Sequence, residues 1–255
     1  MDSPLFSIIT ITFNAADTLP ATLRSVDSQT CTDYEHLVID GASRDHTVEL
    51  ALGRRDIPAN PRRKVFSEPD KGLYDAMNKG LAKARGRYLI FLNAGDAFST
   101  PDTLALYAAA ASEQTDVIYA DTRLVDADRR VLGPRHLSVP ERLTFRSFAR
   151  GMLVCHQAFC MRRSIAPAYD LAYRFSADYE WCLRCLKATS PDRCANLHAT
   201  AIDYLTDGLT DRNRKASLKE RYRIMCLYYG TLPTMLRHLG FACRALARHL
   251  FPPRP

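Results

Sequence analysis

Amide and carboxylate side chains recur where apolar segments of this chain end. They occur at Asn14, in "DGASRD" (residues 40–45), in "EPDKG" (68–72), in "NAGD" (93–96) and at Asp121. One polar turn of this kind is ordinary, but repetition after successive apolar segments predicts a shared binding site. The amide and carboxylate oxygens of such a site are ligands that Mg²⁺ and Mn²⁺ prefer.

The segments between these residues alternate between two periodicities. Short β-rich apolar runs predict strands at "LFSIITITF", "EHLVID", "KVFSE", "RYLIFLN" and "DVIYAD". Helical spacing of apolar residues predicts helices at "DTLPATLRSVDSQ", "SRDHTVELAL", "GLYDAMNKGLAKA" and "TPDTLALYAAAAS". This alternation indicates a parallel, doubly wound α/β sheet covered on both faces. Such sheets bind ligands beyond the carboxyl ends of their strands, which is where the polar residues fall.

Beyond residue 122 the pattern is less regular. It predicts a hairpin at "RLVDADRRVLG", a short helix at "VPERLTFRSF", a strand at "CHQAFCMRR" and a helix at "FSADYEWCLRCLKA". We therefore predict a domain over residues 1–211, with halves 1–121 and 122–211, and a helical tail over 212–255.

The positive charge of the chain is concentrated in the tail. The net charge is +7, but from residue 212 onward ten Lys/Arg accompany a single acid, Glu220, so the first 211 residues carry a slight negative balance. Basic amphipathic helices of this kind lie on anionic membranes, pack on their own domain or form an oligomer. A nucleic-acid partner is not expected for the domain.

The cysteines and the apolar segments predict a cytoplasmic protein. Eight cysteines are scattered through the chain, and "CLRC" (182–185) has no second pair that would complete a zinc site. The N-terminal residues do not resemble a signal peptide, and no apolar run reaches the roughly 18–20 residues of a membrane span. Contact with the inner face of the plasma membrane would then be peripheral, through the tail.

Several motifs together resemble a known enzyme family. They are "SIITITFN", "VIDGASRDHT", "EPDKGLYDAMNKGLAKARGRYLIFLNAGD", "HQAFCMRR" and "SADYEWCLR". This combination is similar to family 2 glycosyltransferases of the GT-A fold, and most of all to the bacterial branch that builds surface polysaccharide, lipopolysaccharide or glycolipid. The resemblance covers roughly residues 6–205, and it implies a Rossmann-like, mostly parallel sheet plus a C-terminal helical extension.

The resemblance implies a nucleotide-sugar donor, with UDP as the expected nucleotide, and a divalent cation, Mn²⁺ or Mg²⁺. "NAGD" corresponds to the family's Asp-x-Asp-type motif, in which Asp96 would bridge the metal and the diphosphate. Asn93 would lie beside the ribose or sugar, and the small Ala94 and Gly95 would let the diphosphate approach the backbone. Asn93 stands where many relatives carry a first acid, which leaves the need for the metal open.

Other donor-side residues follow from the same resemblance. Asp40 would accept hydrogen bonds from the nucleobase or ribose, above a pocket floor formed by Thr12 and Asn14. Asp45 and Thr47 are interpreted as structural. Further along the chain, the family motif places three residues over the nucleotide and two facing the sugar: Asp70, Lys71 and Gly72, then Asp75 and Asn78.

On the acceptor side, the resemblance makes Asp178 the general base, with Glu180 as the second choice. A single base acting in line with the leaving group implies inversion of configuration. His156 and Gln157 would lie beside the donor sugar or the acceptor, Asp121 is a further candidate there, and residues 204–213 resemble a flexible loop of the family. The acceptor would be a glycan or a lipid-linked glycan.

Four other functions compete with this hypothesis. A nucleotidyltransferase would carry a Gly-rich, basic first loop, which "FNAADTLP" is not, and a dehydrogenase would carry G-x-G-x-x-G after the first strand. A catalytically degenerate scaffold is disfavoured because Asp40, Asp96 and Asp178 are all present. A tail-driven nucleic-acid binder would show steeply salt-dependent binding that is lost when residues 212–255 are removed.

Overall fold

The chain folds around one mixed β-sheet, as seen in a computed structural model that describes residues 3–206 and 214–250. The elements of the first half are β1 Phe6–Thr12, α1 Leu19–Asp27, β2 Tyr34–Asp40, α2 Thr47–Ala51, β3 Arg54–Arg55, β4 Ile57–Pro58, β5 Arg63–Ser67, α3 Leu73–Lys83, β6 Tyr88–Phe91, β7 Ala97–Phe98 and α4 Thr103–Ala110. Those of the second half are β8 Val117–Val125, β9 Val131–Pro134, β10 Phe159–Arg162, α5 Ala177–Ala188, β11 Cys194–Leu205, the first tail helix Arg214–Tyr229 and the second tail helix Thr231–Leu250.

The predicted parallel sheet forms the first half of the molecule. β5, β2, β1 and β6 are neighbours in that order and all run parallel. All seven residues of β1 and of β2 are buried, so both strands lie in the interior of the sheet. Because Thr12 pairs with Asp40 and Asp40 pairs with Ser67, three strands end side by side and bring their following loops together.

The second half differs from a simple continuation of this pattern. β10 lies between β6 and β8 and runs antiparallel to both, so the fourth and fifth predicted strands are not neighbours. β8 continues into the predicted hairpin with β9 and also pairs with the parallel strand β11, which the sequence did not predict. β11 was missed because "CANLHATAIDYL" has few large apolar residues and only Ala201 and Ile202 are buried.

Two other predictions for this half were partly wrong. Only Phe159–Arg162 of "CHQAFCMRR" is a strand, because His156–Ala158 forms a 3-10 turn before it. The helix predicted at "VPERLTFRSF" is a 3-10 helix over Phe145–Arg150, started by a reciprocal capping box between Thr144 and Ser147.

The first tail helix packs on the domain, and the second exposes an apolar face. Ile224 and Met225 of the first tail helix are buried, and Tyr229 donates a hydrogen bond to the Phe145 carbonyl at 2.6 Å. On the second tail helix an exposed row at spacings of three and four contains Leu232, Met235, Leu236 and Leu239. Among the described helices, none combines the length and the apolarity needed to span a bilayer.

Two buried histidines are expected to make folding acid-sensitive. Burial lowers the pKa of His36 to about 3 and that of His156 to about 4. Each therefore stays neutral in the fold while the unfolded chain binds a proton below pH 6.5. Each contributes stability above pH 6.5 that is lost as the pH falls, by about 1.4 kcal/mol per pH unit.

Chemical denaturation of the wild type and of His36→Phe, from pH 7 to 4.5, measures this effect. In the variant, the free energy of unfolding should fall less steeply as the pH is lowered, by the contribution of one histidine. This difference in slope does not depend on the stability of the variant at pH 7. Equal slopes for the two proteins would contradict a neutral, buried His36.

Candidate active site

The ends of β1, β2 and β5 are joined through the carboxylate of Asp40. This side chain is 1% exposed, and its oxygens accept hydrogen bonds from the hydroxyls of Thr12, Ser43 and Ser67 and from the Ser43 backbone N–H. Both oxygens are thereby occupied by protein donors. Asp40 lies at the predicted strand end, but its contacts in this structure shape the loops of the pocket.

Asn14 connects the loops after β1 and β2. Its backbone, at φ +47°, donates to the Ser43 hydroxyl at 2.8 Å, and its side-chain oxygen accepts the Arg44 N–H at 2.9 Å. Asp45, interpreted as structural, accepts hydrogen bonds from the backbone N–H groups of Ala16 and Thr47. Both loops are thus tied to each other before any ligand binds.

The "EPDKG" loop leads into α3 beside this edge of the sheet. A Cβ on Gly41 would collide with Oδ2 of Asp70, so Gly41 lets this carboxylate approach the end of β2. Gly72 starts α3 at φ +122°, and its N–H donates to Asp70 at 2.9 Å. Lys71 is exposed, and its backbone N–H donates to Asp75 at 2.9 Å.

Asn78 does not face an open pocket. Its side-chain oxygen accepts the Tyr169 N–H at 2.7 Å, and its amide donates to the Tyr169 carbonyl at 3.0 Å. The sequence placed Asn78 toward the sugar, whereas the structure uses it to hold the segment around Tyr169 against α3.

The "NAGD" turn follows β6 and lies against α1, the tip of the β8–β9 hairpin and Leu205 of β11. The Thr22 hydroxyl of α1 accepts the Gly95 N–H at 2.9 Å and donates to the Asp96 carbonyl at 2.7 Å. Arg129, at the tip of the β8–β9 hairpin, donates to the Gly95 carbonyl at 2.6 Å. Gly95 has φ +102°, and a Cβ there would lie 2.9 Å from Leu205, so only glycine fits this turn without strain.

Asp96 is a buried carboxylate with two donors. Gln157 donates to Oδ2 at 2.7 Å and the Leu205 backbone N–H donates to Oδ1 at 2.9 Å. Burial raises the pKa of Asp96 to about 7, although these two hydrogen bonds and the charge of Arg129 act in the opposite direction. An ionised form at this position would be strongly stabilised by a nearby cation.

Asn93 has an unsatisfied acceptor in the same turn. Its backbone carbonyl accepts the Asp96 N–H at 3.0 Å, while its buried side-chain Oδ1 has no hydrogen-bond partner among the described residues. Buried polar atoms are nearly always paired in folded proteins, so an orphan acceptor indicates a site for a donor or a cation. Ala94 is half-buried and packs against the smaller apolar cluster between α1 and α2.

Asp178 is the second residue of α5, as the sequence predicted. Its Oδ1 accepts hydrogen bonds from the Tyr74 hydroxyl at 3.1 Å and from the Tyr179 N–H at 2.8 Å. Within residues 3–206 and 215–240, its Oδ2 has no hydrogen-bond donor. The carboxylate is therefore fixed through one oxygen and has the other available.

Glu180 lies on another side of α5. Residues two positions apart in a helix are rotated by about 200° about its axis. Glu180 is 4% exposed, forms an ion pair with Arg184 at 2.7 Å and accepts a hydrogen bond from the Tyr228 hydroxyl of the first tail helix. Its role as second choice for the base is not supported, because this ion pair and the Tyr228 contact hold it buried on a different side of α5 from Asp178.

His156 belongs to an aromatic cluster beneath the site. It is 3% exposed, its Nε2 lies 2.6 Å from the Tyr169 hydroxyl, and its ring contacts Phe91 and Trp181. The negative charge of Asp178 acts against the burial that lowers the pKa of His156. The turn that contains His156 and Gln157 therefore lies between the Asp96 and Asp178 regions.

Asp121 was the further candidate on the acceptor side. It is exposed on β8 and lines a cleft of about 480 Å³ together with Arg123, Arg135 and Thr200. In the described part of the chain, Asp96, Gln157 and Asp178 do not line this cleft. The loop predicted over residues 204–213 falls mostly on residues 207–213, which lie outside the described residues.

Sequence reasoning missed Thr22, Tyr74 and Arg129. All three contact a candidate site residue or its turn directly, yet each lies in an ordinary helical or turn pattern. Arg129 carried one usable signal, since it is the final residue of the predicted "DADR" hairpin turn.

The sheet, the carboxylate turn after β6 and the acid at the start of α5 have the arrangement that the resemblance to GT-A glycosyltransferases implied. A family model for glycosyl transferase family 2 matches residues 7–169. The chain is 39% identical over 197 residues to a PGL/p-HBAD biosynthesis glycosyltransferase of Mycobacterium bovis, covering 72% of this chain and 71% of that protein. It is 32% identical over 114 residues to a cholesterol galactosyltransferase of Borreliella burgdorferi, covering 44% and 31%.

Solved structures share the fold at low sequence identity. TarS residues 1–349 of S. aureus, in complex with UDP-GlcNAc, superposes with a TM-score of 0.71 at 17% identity, covering 97% of this chain and 76% of that one. The mannosyltransferase PcManGT of Pyrobaculum calidifontis, in complex with GDP-Man and Mn²⁺, has a TM-score of 0.57 at 16% identity, covering 99% and 82%. The chain belongs to glycosyl transferase family 2 and is a glycosyltransferase.

Proposed function

We propose that this enzyme transfers a sugar, with inversion, from a UDP-sugar to a hydroxyl of a glycan or lipid-linked acceptor. The main support for the proposal is the hydrogen bonding of the Asp178 carboxylate. Its Oδ1 accepts two hydrogen bonds, whereas its Oδ2 accepts none from the described residues. A general base needs a free oxygen within hydrogen-bond reach of the acceptor hydroxyl, in a side chain that does not rotate away. Tyr74 and the Tyr179 N–H supply that restraint without occupying Oδ2.

The donor diphosphate is proposed to lie against the "NAGD" turn. The departing nucleoside diphosphate gains negative charge, which a divalent cation would neutralise as a Lewis acid. The oxygens of Asn93 and Asp96 fit such a cation, since Mg²⁺ commonly uses one or two protein ligands and takes the rest from phosphates and water. The orphan Oδ1 of Asn93 supports this assignment. Among the described residues no cluster of three or more His, Cys, Asp or Glu side chains could hold a metal without the substrate.

The remaining donor-side residues are proposed to enclose the nucleotide. Asp70, Lys71 and Asp75 lie on the loop and first turn of α3, beside the ends of β1 and β2. In this arrangement Asp40 and Thr12 keep the strand ends together, while Asn14 and the Asp70 loop lie nearest to the ligand.

Nucleotide release from UDP-, GDP- and dTDP-sugars, with Mn²⁺, Mg²⁺ or EDTA, tests the proposal. Slow, metal-dependent release from one UDP-sugar, accelerated by a glycolipid acceptor extract, is the expected result. Absence of donor binding and of turnover under every condition would favour a degenerate scaffold. Release of pyrophosphate from a nucleoside triphosphate would instead indicate a nucleotidyltransferase.

The tail is proposed to place the enzyme at an anionic membrane surface. The exposed leucine row of the second tail helix adjoins a helix whose exposed residues include Lys215, Lys219 and Arg223. The apolar spacing of that row continues in the sequence at Cys243, Leu246 and Leu250. Apolar residues beside basic ones are the pattern of helices that lie in the membrane interface.

Replacing Leu232, Leu236 and Leu239 together by Ser is expected to weaken binding to vesicles of phosphatidylcholine and phosphatidylglycerol by about tenfold or more. Co-sedimentation measures this, with Leu171→Ser, at an exposed leucine of the domain, as the control. Unchanged vesicle binding contradicts the membrane assignment, and a dimer-to-monomer shift of the triple variant without vesicles would assign the row to a second copy of the chain.

A further inference from the structure

The single acid of the tail contacts the backbone that leads into α5. Glu220 accepts hydrogen bonds from three consecutive N–H groups, those of Arg174 at 2.8 Å, Phe175 at 2.7 Å and Ser176 at 2.6 Å. Consecutive amides that converge on one carboxylate form a charge-assisted arrangement, which is stronger than hydrogen bonds between neutral groups. Within residues 3–206 and 215–240, Glu220 has no ion-pair partner.

A second contact holds the same backbone segment. Ser176 is the N-cap residue of α5, but its hydroxyl makes no capping bond within its own helix. It contacts Ser217 of the first tail helix instead, donating to the backbone carbonyl at 3.1 Å. Ser176 and Ser217 are both buried, at 0% and 3% exposure, so these contacts are shielded from water.

Asp178 follows this segment by two residues. Its carboxylate is restrained from α3 through Tyr74, while the start of its helix is restrained from the tail through Glu220. Removing either restraint changes where Oδ2 lies, because a small shift at the first turn of a helix moves every side chain of that turn. The tail would thus act on the acceptor side of the site without touching the donor side.

We propose that Glu220 is a positioning residue for Asp178, so that the first tail helix is part of the catalytic apparatus. This inference rests on the proposed role of Asp178 as the base. It predicts that loss of Glu220 lowers the rate of sugar transfer and leaves donor binding unaffected, since a misplacement of about 1 Å can reduce a rate about a hundredfold.

Steady-state kinetics of Glu220→Ala and Glu220→Gln test the inference. The alanine variant should lower kcat by about ten- to a hundredfold with donor KM within about twofold. The glutamine variant, which keeps one accepting oxygen, should recover part of the loss. Glu141→Ala removes an exposed glutamate of the domain and serves as the matched control. A proportional rise of donor KM, or wild-type kcat in both variants, would overturn the inference.

A double-mutant cycle separates positioning from general loss of structure. In an Asp178→Asn background, Glu220→Ala should cause little further loss, because the group that it positions is already gone. Additive losses would show that Glu220 acts elsewhere.

Hydrogen exchange supplies a readout that does not depend on turnover. Glu220→Ala should accelerate exchange in a peptide covering residues 173–180 and leave a peptide around residues 88–96 unchanged. Unaltered exchange in the first peptide overturns the inference even if the wild type shows no transferase activity, whereas inactivity with accelerated exchange would count against the proposed function alone.

Discussion

Asp178→Asn is expected to abolish sugar transfer while the donor still binds. The substitution keeps an Oδ1 that can accept from Tyr74 and from the Tyr179 N–H, but it replaces Oδ2 by an amide that cannot take a proton. General base catalysis contributes about 10²- to 10⁴-fold to a rate, so kcat should fall by that order. Nucleotide release with acceptor present measures kcat, and calorimetric titration with UDP measures donor binding, which should change by less than about twofold.

The neighbouring acid provides the matched control. Glu180→Gln removes a carboxylate from the same helix, but that carboxylate is buried against Arg184 and Tyr228. Breaking a buried ion pair costs about 3–5 kcal/mol in the free energy of unfolding, so this variant should unfold at lower temperature yet keep most of its kcat below that point. If Glu180→Gln were folded but inactive in sugar transfer, and Asp178→Asn were active, Glu180 would be the general base and Asp178 the structural acid.

Asp96→Ala is expected to remove metal-dependent donor turnover. Loss of this carboxylate removes the proposed cation ligand, and loss of such electrostatic stabilisation commonly lowers kcat by about 10²- to 10³-fold. EDTA should lower the donor turnover of the wild type to the same extent. Added Mn²⁺ should restore turnover to the EDTA-treated wild type but not to Asp96→Ala. If EDTA did not change turnover of the wild type, no metal would be needed. Fixed protein charges, first of all Arg129, would then stabilise the leaving group.

The Asp96 variant needs a control for structure. Asp96 also accepts hydrogen bonds from Gln157 and from the Leu205 N–H, which alanine would leave unpaired. Asp96→Asn retains the shape and one accepting oxygen, so it should stay folded while losing most of the metal response. A metal response of wild-type size in a folded Asp96→Asn protein would contradict the assignment of the ligand.

Much of the fold could be predicted from residue spacing, and the site residues from the resemblance to the family. Parallel strands at β1, β2, β5 and β6 were predicted because short β-rich runs alternate with helical segments, whereas their side-by-side order is seen only in the structure. Asp178 was placed at a helix start because "SADYEWCLR" resembles the family's motif, and α5 does begin one residue before it. β11 was missed because its order comes from pairing with β8 and β7, and its own sequence is weakly apolar.

The sequence by itself determined the order of strands and helices, and with it which residues fall at strand ends and at the start of α5. Those properties follow from the periodicity of apolar residues, which depends only on residues close together in the sequence. Only the tertiary structure decided what each side chain contacts. Asp96 receives hydrogen bonds from residues 61 and 109 positions away, and Asp178 from one 104 positions away. No local pattern encodes such distant partners, because the topology of the sheet and the packing of its helices and loops bring them together.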